Sequence, residues 1–108
     1  MMSEEQQSRI KSVLPDAFAS AFEKMSWPEA FRSVTLVDHI AEITGKNPHS
    51  VGRKIKLWLL RVGFKQLPED SAIGGRRSKV WYLPEEISKK DAMRVVNTGV
   101  RGVGDQGF

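Results

Sequence analysis

Arg76, Arg77 and Lys79 follow closely on the pair Gly74-Gly75, and Asn47, His49, Ser50, Arg53, Lys54 and Lys56 crowd into the stretch 47–56. Guanidinium and ammonium groups at this density hold anions. Arginine presents a fork of donors that fits a phosphate or the O6/N7 edge of guanine. Few other chemistries are open to the chain. It has no cysteine and only two histidines, His39 and His49. Thiol catalysis, disulfide scaffolds, cysteine-rich zinc sites and a cluster of several histidines around a metal are therefore excluded. Asp38, Glu42, Glu69 and Asp70 show no metal-binding or acid–base spacing. There is no nucleophile elbow. Gly45-Lys46 lacks both the upstream glycine and the following Ser/Thr of a phosphate-cradling loop. The expectation is binding without catalysis, and without a metal, a cofactor or a small-molecule substrate.

The net charge of +4 conceals a sharper pattern. The stretch 46–79 holds Lys46, Arg53, Lys54, Lys56, Arg61, Lys65, Arg76, Arg77 and Lys79 against only Glu69 and Asp70, a net of +7. The stretch 1–45 is acidic on balance and 80–108 is neutral. A cationic excess gathered in one block indicates a polyanion partner better than a basic average does.

These side chains need elements to position them, and 108 residues suffice for one domain with one core. Ile10, Val13, Leu14, Ala17, Phe18, Ala21, Phe22 and Met25 recur at helical spacing over 3–25, with a break near Leu14 and a restart at Pro15. Ser3 can cap the first helix. A short strand is expected around Arg32–Thr35. Thr35 then reads as the cap of a second helix, with Asp38 in a capping-box position. Gly45 suits the end of that helix, and Asn47-Pro48 the start of the next, over about 48–62. Gly63 closes it. Two short helices joined around a glycine have the spacing of a helix-turn-helix. Phe64–Leu67 and Lys79–Leu83 read as strands of a hairpin with a long, turn-rich tip at 68–78. A last short helix fits 85–97. The tail 98–108 is glycine-rich and reads as loose.

On a wheel at about 100° per residue, Val51, Ile55, Trp58, Leu59 and Val62 form a core-facing arc of helix 48–62. His49, Arg53, Lys56, Leu57 and Leu60 lie on the far side, with Ser50, Lys54 and Arg61 to one flank. A basic face of this kind fits the major groove, and the tip arginines fit a minor groove or plain phosphate. The alternative is a solvated face and a solubilising loop. His49 reads as a first-turn solvent residue before it reads as a base reader, and His39 reads as structural. Glu69 and Asp70 can steer the tip or pair with its arginines. Leu57 and Leu60 require cover from the N-terminal helices or from another chain, or they mark a protein interface. Trp81 and Tyr82 point to opposite sheet faces, so one is expected to pack and the other to be more exposed.

VDHIAEITG-KNPHSVGRKIKLWLLRVGF and GGRRSKVWYLP resemble the second and third helices and the wing of a winged helix-turn-helix domain. The likeness covers about 34–84. A weaker, pattern-level likeness is to the C-terminal winged-helix segment of phage and plasmid replication proteins of the virulence-associated protein E type, without their helicase or primase region. The resemblance implies an α+β, mainly helical fold with a two-stranded wing, a domain over 1–97 and a flexible tail. It implies a duplex-DNA partner, met by Asn47, His49, Ser50, Arg53, Lys54 and Lys56 on the recognition helix and by Arg76, Arg77 and Lys79 on the wing. A role as a phage or mobile-element regulator of transcription, or as a replication accessory factor, follows from the same likeness. A homodimer through 3–25 is a further expectation. Competing readings are a protein-interaction module using Leu57 and Leu60, and RNA or single-strand binding on Trp81 or Tyr82. No apolar run approaches the roughly 18 residues of a membrane span, and the polar start is unlike a signal peptide. A cytoplasmic location is expected, or a nuclear one for a eukaryotic source.

Overall fold

Residues 1–72 and 75–98 are described by a computed structural model. Gly74 and residues 99–108 of the expected loose tail lie outside them; Thr98, read as the start of that tail, instead ends the last helix. Helix α1 (Glu4–Val13) starts at Ser3, whose hydroxyl accepts from the backbone N–H of Gln6. Glu4 and Glu5 occupy its first turn, where the helix dipole favours negative charge. The residue before a proline is pushed out of helical geometry. Leu14 is accordingly extended, and α2 (Asp16–Lys24) restarts with Pro15 at its N-cap.

Strand β1 (Ala30–Arg32) then runs straight into α3 (Ser33–Thr44). This corrects two expectations. The strand starts two residues before the stretch assigned to it and ends at Arg32, and Thr35 lies inside the helix instead of capping it. The cap comes from far along the chain. Ser78 Oγ accepts from the N–H of Val34 at 3.1 Å, and the N–H of Ser33 donates to the carbonyl of Lys79 at 2.8 Å. With the first donors of α3 satisfied by the sheet, a local capping box has nothing to do.

Helix α4 (Pro48–Val62) has the bounds expected of it. Asn47 Oδ1 accepts from the N–H of His49 at 2.8 Å, and Pro48 takes the first helical position. Gly45 (φ 71°) and Gly63 (φ 104°) end α3 and α4 in the left-handed region, which favours glycine. Arg9 on α1 reaches across to donate to the carbonyl of Val62 at 2.7 Å, meeting the negative end of α4.

Strands β2 (Lys65–Gln66) and β3 (Val80–Tyr82) pair antiparallel, and β1 adds to the other side of β3, giving the order β1-β3-β2. Phe31 and Gln66 both stand opposite Trp81. Helix α5 (Lys89–Thr98) follows. Among the described residues the chain is thus α+β and mainly helical, with five helices and one three-stranded sheet.

Strands β1 and β3 are buried on both faces, whereas both residues of β2 are exposed. Phe31, Trp81 and Leu83 join Ile10, Phe22 and Leu36 in a core with the first four helices. Ala30, Val80 and Tyr82 turn the other way, into a second apolar cluster with Ala92 of α5. The alternation is as read, but its consequence is not. Trp81 and Tyr82 are 1% and 4% exposed, so neither is the exposed member of the pair. Helix α5 packs over the face that two strands alone would leave open. The indole N–H of Trp81 is satisfied by Ser33 Oγ at 2.7 Å.

On α4 the stripe Val51, Ile55, Leu59 and Val62 is buried. Trp58 is only half-buried, with its ring edge-on to Phe18 and the Arg61 guanidinium 5.0 Å from its centroid. Gly52 is a weak point in this helix. A Cβ there would sit 3.9 Å from Val37 Cγ2, an ordinary contact. Glycine inside a helix costs about 0.5–1 kcal/mol relative to alanine. Gly52→Ala is expected to stabilise the chain by about that amount, read as a higher denaturant midpoint at unchanged m. A lower midpoint would show that α3 and α4 cannot give room for one methyl group.

Candidate nucleic-acid interface

Burial of the Val51–Val62 stripe fixes which side of α4 faces outward. Asn47, His49, Ser50, Arg53, Lys54 and Lys56 are all exposed there. Arg53 and Lys56 stand one turn apart on one face, and Ser50 and Lys54 flank them. Among the described residues no carboxylate forms an ion pair with His49, Arg53, Lys54 or Lys56. The cations of Arg53, Lys54 and Lys56 are therefore uncommitted. Asn47 differs, because its side-chain oxygen is already used as the helix cap. Only its amide N–H groups remain for an outside acceptor.

The hairpin cations are arranged otherwise. Ser71 and Ser78 bridge the base of the hairpin through backbone hydrogen bonds of 2.8 and 2.7 Å. Arg76 and Arg77 lie beyond this bridge and Lys79 just below it; all three are exposed, yet each has a carboxylate. Arg76 makes two hydrogen bonds to Asp38 of α3, at 2.9 and 3.4 Å. Its carbonyl also accepts from the guanidinium of Arg32. Asp70 holds Lys79 at 2.9 Å and lies 3.8 Å from Arg77. The expected alternative for Asp70, pairing with the tip cations, is what the structure shows. Glu69 is exposed.

The Asp70 pairs lie within the hairpin, and the Asp38 pair joins the hairpin to α3. They also mean that a phosphate reaching Arg76 exchanges one anion for another. Exposed pairs are worth little in water, so the exchange is cheap but not free. Asp38 carries no local signal for this part. Its partner lies 38 residues away in sequence.

No protein-family model, curated protein or solved structure matches this chain.

The remaining singled-out residues fall elsewhere. His39 is half-buried on α3, beside a shallow recess shared with Phe31 and Val95. Leu57 and Leu60 are 73% and 51% exposed, so the N-terminal helices do not cover them. They share the outer face of α4 with Arg53 and Lys56. Among the described residues no group of histidines and carboxylates is placed to hold a metal ion. No helix among them is long and apolar enough to cross a membrane.

Proposed function

We propose that this chain is a winged helix-turn-helix domain that binds duplex DNA, with α4 as its recognition helix and the 68–79 hairpin as its wing. The observation that carries the reading is the outer face of α4, where exposed Arg53, Lys54 and Lys56 have no ion-pair partner among the described residues. A rigid helix bearing free cations is suited to phosphate contact, and Arg53 to a guanine edge. The paired wing cations act second, after Asp38 and Asp70 yield to phosphate. The likeness to phage and plasmid replication proteins makes regulation or replication of a mobile element the setting for such binding.

The test is fluorescence anisotropy of labelled random-sequence duplex across a salt series. Affinity is expected to fall steeply with salt, with a log–log slope of about −0.9 per phosphate contacted. Arg53→Ala is expected to weaken binding at every salt concentration. Absence of binding at low salt would overturn the proposal.

A second reading has its own observation. Leu57 and Leu60 expose apolar surface one turn apart on the same face. A protein-interaction module would use them and would show no steep salt dependence.

A further inference from the structure

Where α2, α3 and α4 meet, the helices leave a half-enclosed cavity of about 240 Å³. Phe18, Ile40, Val51 and Trp58 form its apolar wall. Its polar lining is Thr44, Lys46, Ser50 and Lys54, with no carboxylate. Neither lysine has an ion-pair partner among the described residues. At roughly 30 Å³ per water-sized group, the space takes about eight such groups. It is smaller than the sites of drug-sized ligands.

We propose that this cavity binds a small monocarboxylate with an apolar body, its body against Phe18 and Trp58 and its carboxylate between Lys46 and Lys54. The lining argues for each half. An apolar wall next to hydroxyls and two ammonium groups matches a molecule that is apolar at one end and anionic at the other. A neutral apolar molecule would leave both lysines unused, and an amine would be repelled by them.

The consequence rests on the DNA-binding reading. Ser50 and Lys54 belong both to this cavity and to the outer face of α4. A carboxylate held by Lys54 takes that cation away from phosphate, so the bound acid weakens DNA binding.

The direct test does not involve DNA. The full chain, labelled with 15N, is titrated with phenylacetate, with hexanoate, and with the neutral analogue 2-phenylethanol. The expected result is saturable shifts at the Trp58 indole and the Thr44 and Ser50 amides. Phenylacetate should bind about tenfold more tightly than the alcohol, the size of a charge-assisted contact. The hexanoate arm separates an aromatic from an aliphatic body. Lys46→Gln/Lys54→Gln should erase the preference for the acid, and Ala17→Leu, which fills the cavity from α2, should abolish the shifts. No shift at about 10 mM, beyond the millimolar end of the affinity scale, would overturn the proposal. Equal binding of acid and alcohol would do so too.

The coupling is read separately. Saturating phenylacetate should lower duplex affinity about two- to fivefold against a sodium acetate control of equal ionic strength, the worth of one exposed ion pair. Ala17→Leu should bind DNA normally and lose this response. If phenylacetate binds and duplex affinity does not change, the coupling is wrong and the cavity assignment stands. If the chain binds no DNA, the functional reading fails, and the NMR titration still judges the cavity.

Discussion

Replacing Arg53, Lys54 and Lys56 together by glutamine should cost roughly a hundredfold in duplex affinity at low salt, at about 1 kcal/mol for each cation–phosphate contact. The salt dependence is the more informative readout. Each lost phosphate contact flattens the log–log slope by about 0.9, so three lost contacts flatten it by about 2.7. If Arg53 reads a base edge instead, the slope flattens by only about 1.8 and selectivity between duplex sequences falls. The fold should survive, because all three side chains are exposed and none is in an ion pair with a described residue. Unchanged thermal unfolding is the control. The matching replacement on the wing, at Arg76, Arg77 and Lys79, should cost less in affinity, because those cations already share Asp38 and Asp70. A hairpin variant that lost more than the α4 variant would make the hairpin, not α4, the main phosphate contact.

That contrast also marks what the sequence makes legible. The bounds of α4 follow from local signals: the Asn47 cap, Pro48 at the first turn, an apolar stripe at helical spacing, and Gly63 at the end. Each acts within a few residues, so each can be read without the fold. β1 could be placed only to within a few residues. A three-residue strand has little periodicity of its own, and its hydrogen bonds go to 80–82, far along the chain. Thr35 fails as a cap for the same reason, since Ser78 arrives from the hairpin. The alternation of Trp81 and Tyr82 gives their faces correctly but says nothing of what covers each face, which depends on where α5 docks. The candidate site divides along the same line. The cations of α4 were legible from the helical wheel. The grip of Asp38 on Arg76 and the three-helix cavity were not, because each joins segments that meet only in the folded chain.

Phe22→Ala should be among the most damaging single changes in the scaffold, at about 3–5 kcal/mol. Phe22 is fully buried and sits between three other rings. It stacks on Trp27 and Phe64 at centroid distances of 5.4 and 5.8 Å and meets Phe31 edge-on at 5.4 Å. Phe31 and Phe64 also meet edge-on, at 5.3 Å. The four rings tie α2 to β1 and to the residue that follows the Gly63 turn. They therefore help set how the end of α4 sits on the sheet that carries the hairpin. Alanine removes the ring but cannot recruit its three ring neighbours to fill its place, so most of the cavity remains. A domain of this size commonly has only about 5–15 kcal/mol of stability. At roughly 4–8 °C per kcal/mol, the unfolding midpoint should fall by at least about 12 °C. Phe22→Leu, which retains most of the volume, should lose much less. A fall of only a few degrees for the alanine variant would show that the rings can close the gap. The seating of α4 would then rest on Leu59, Val62 and the Arg9 contact to its last turn.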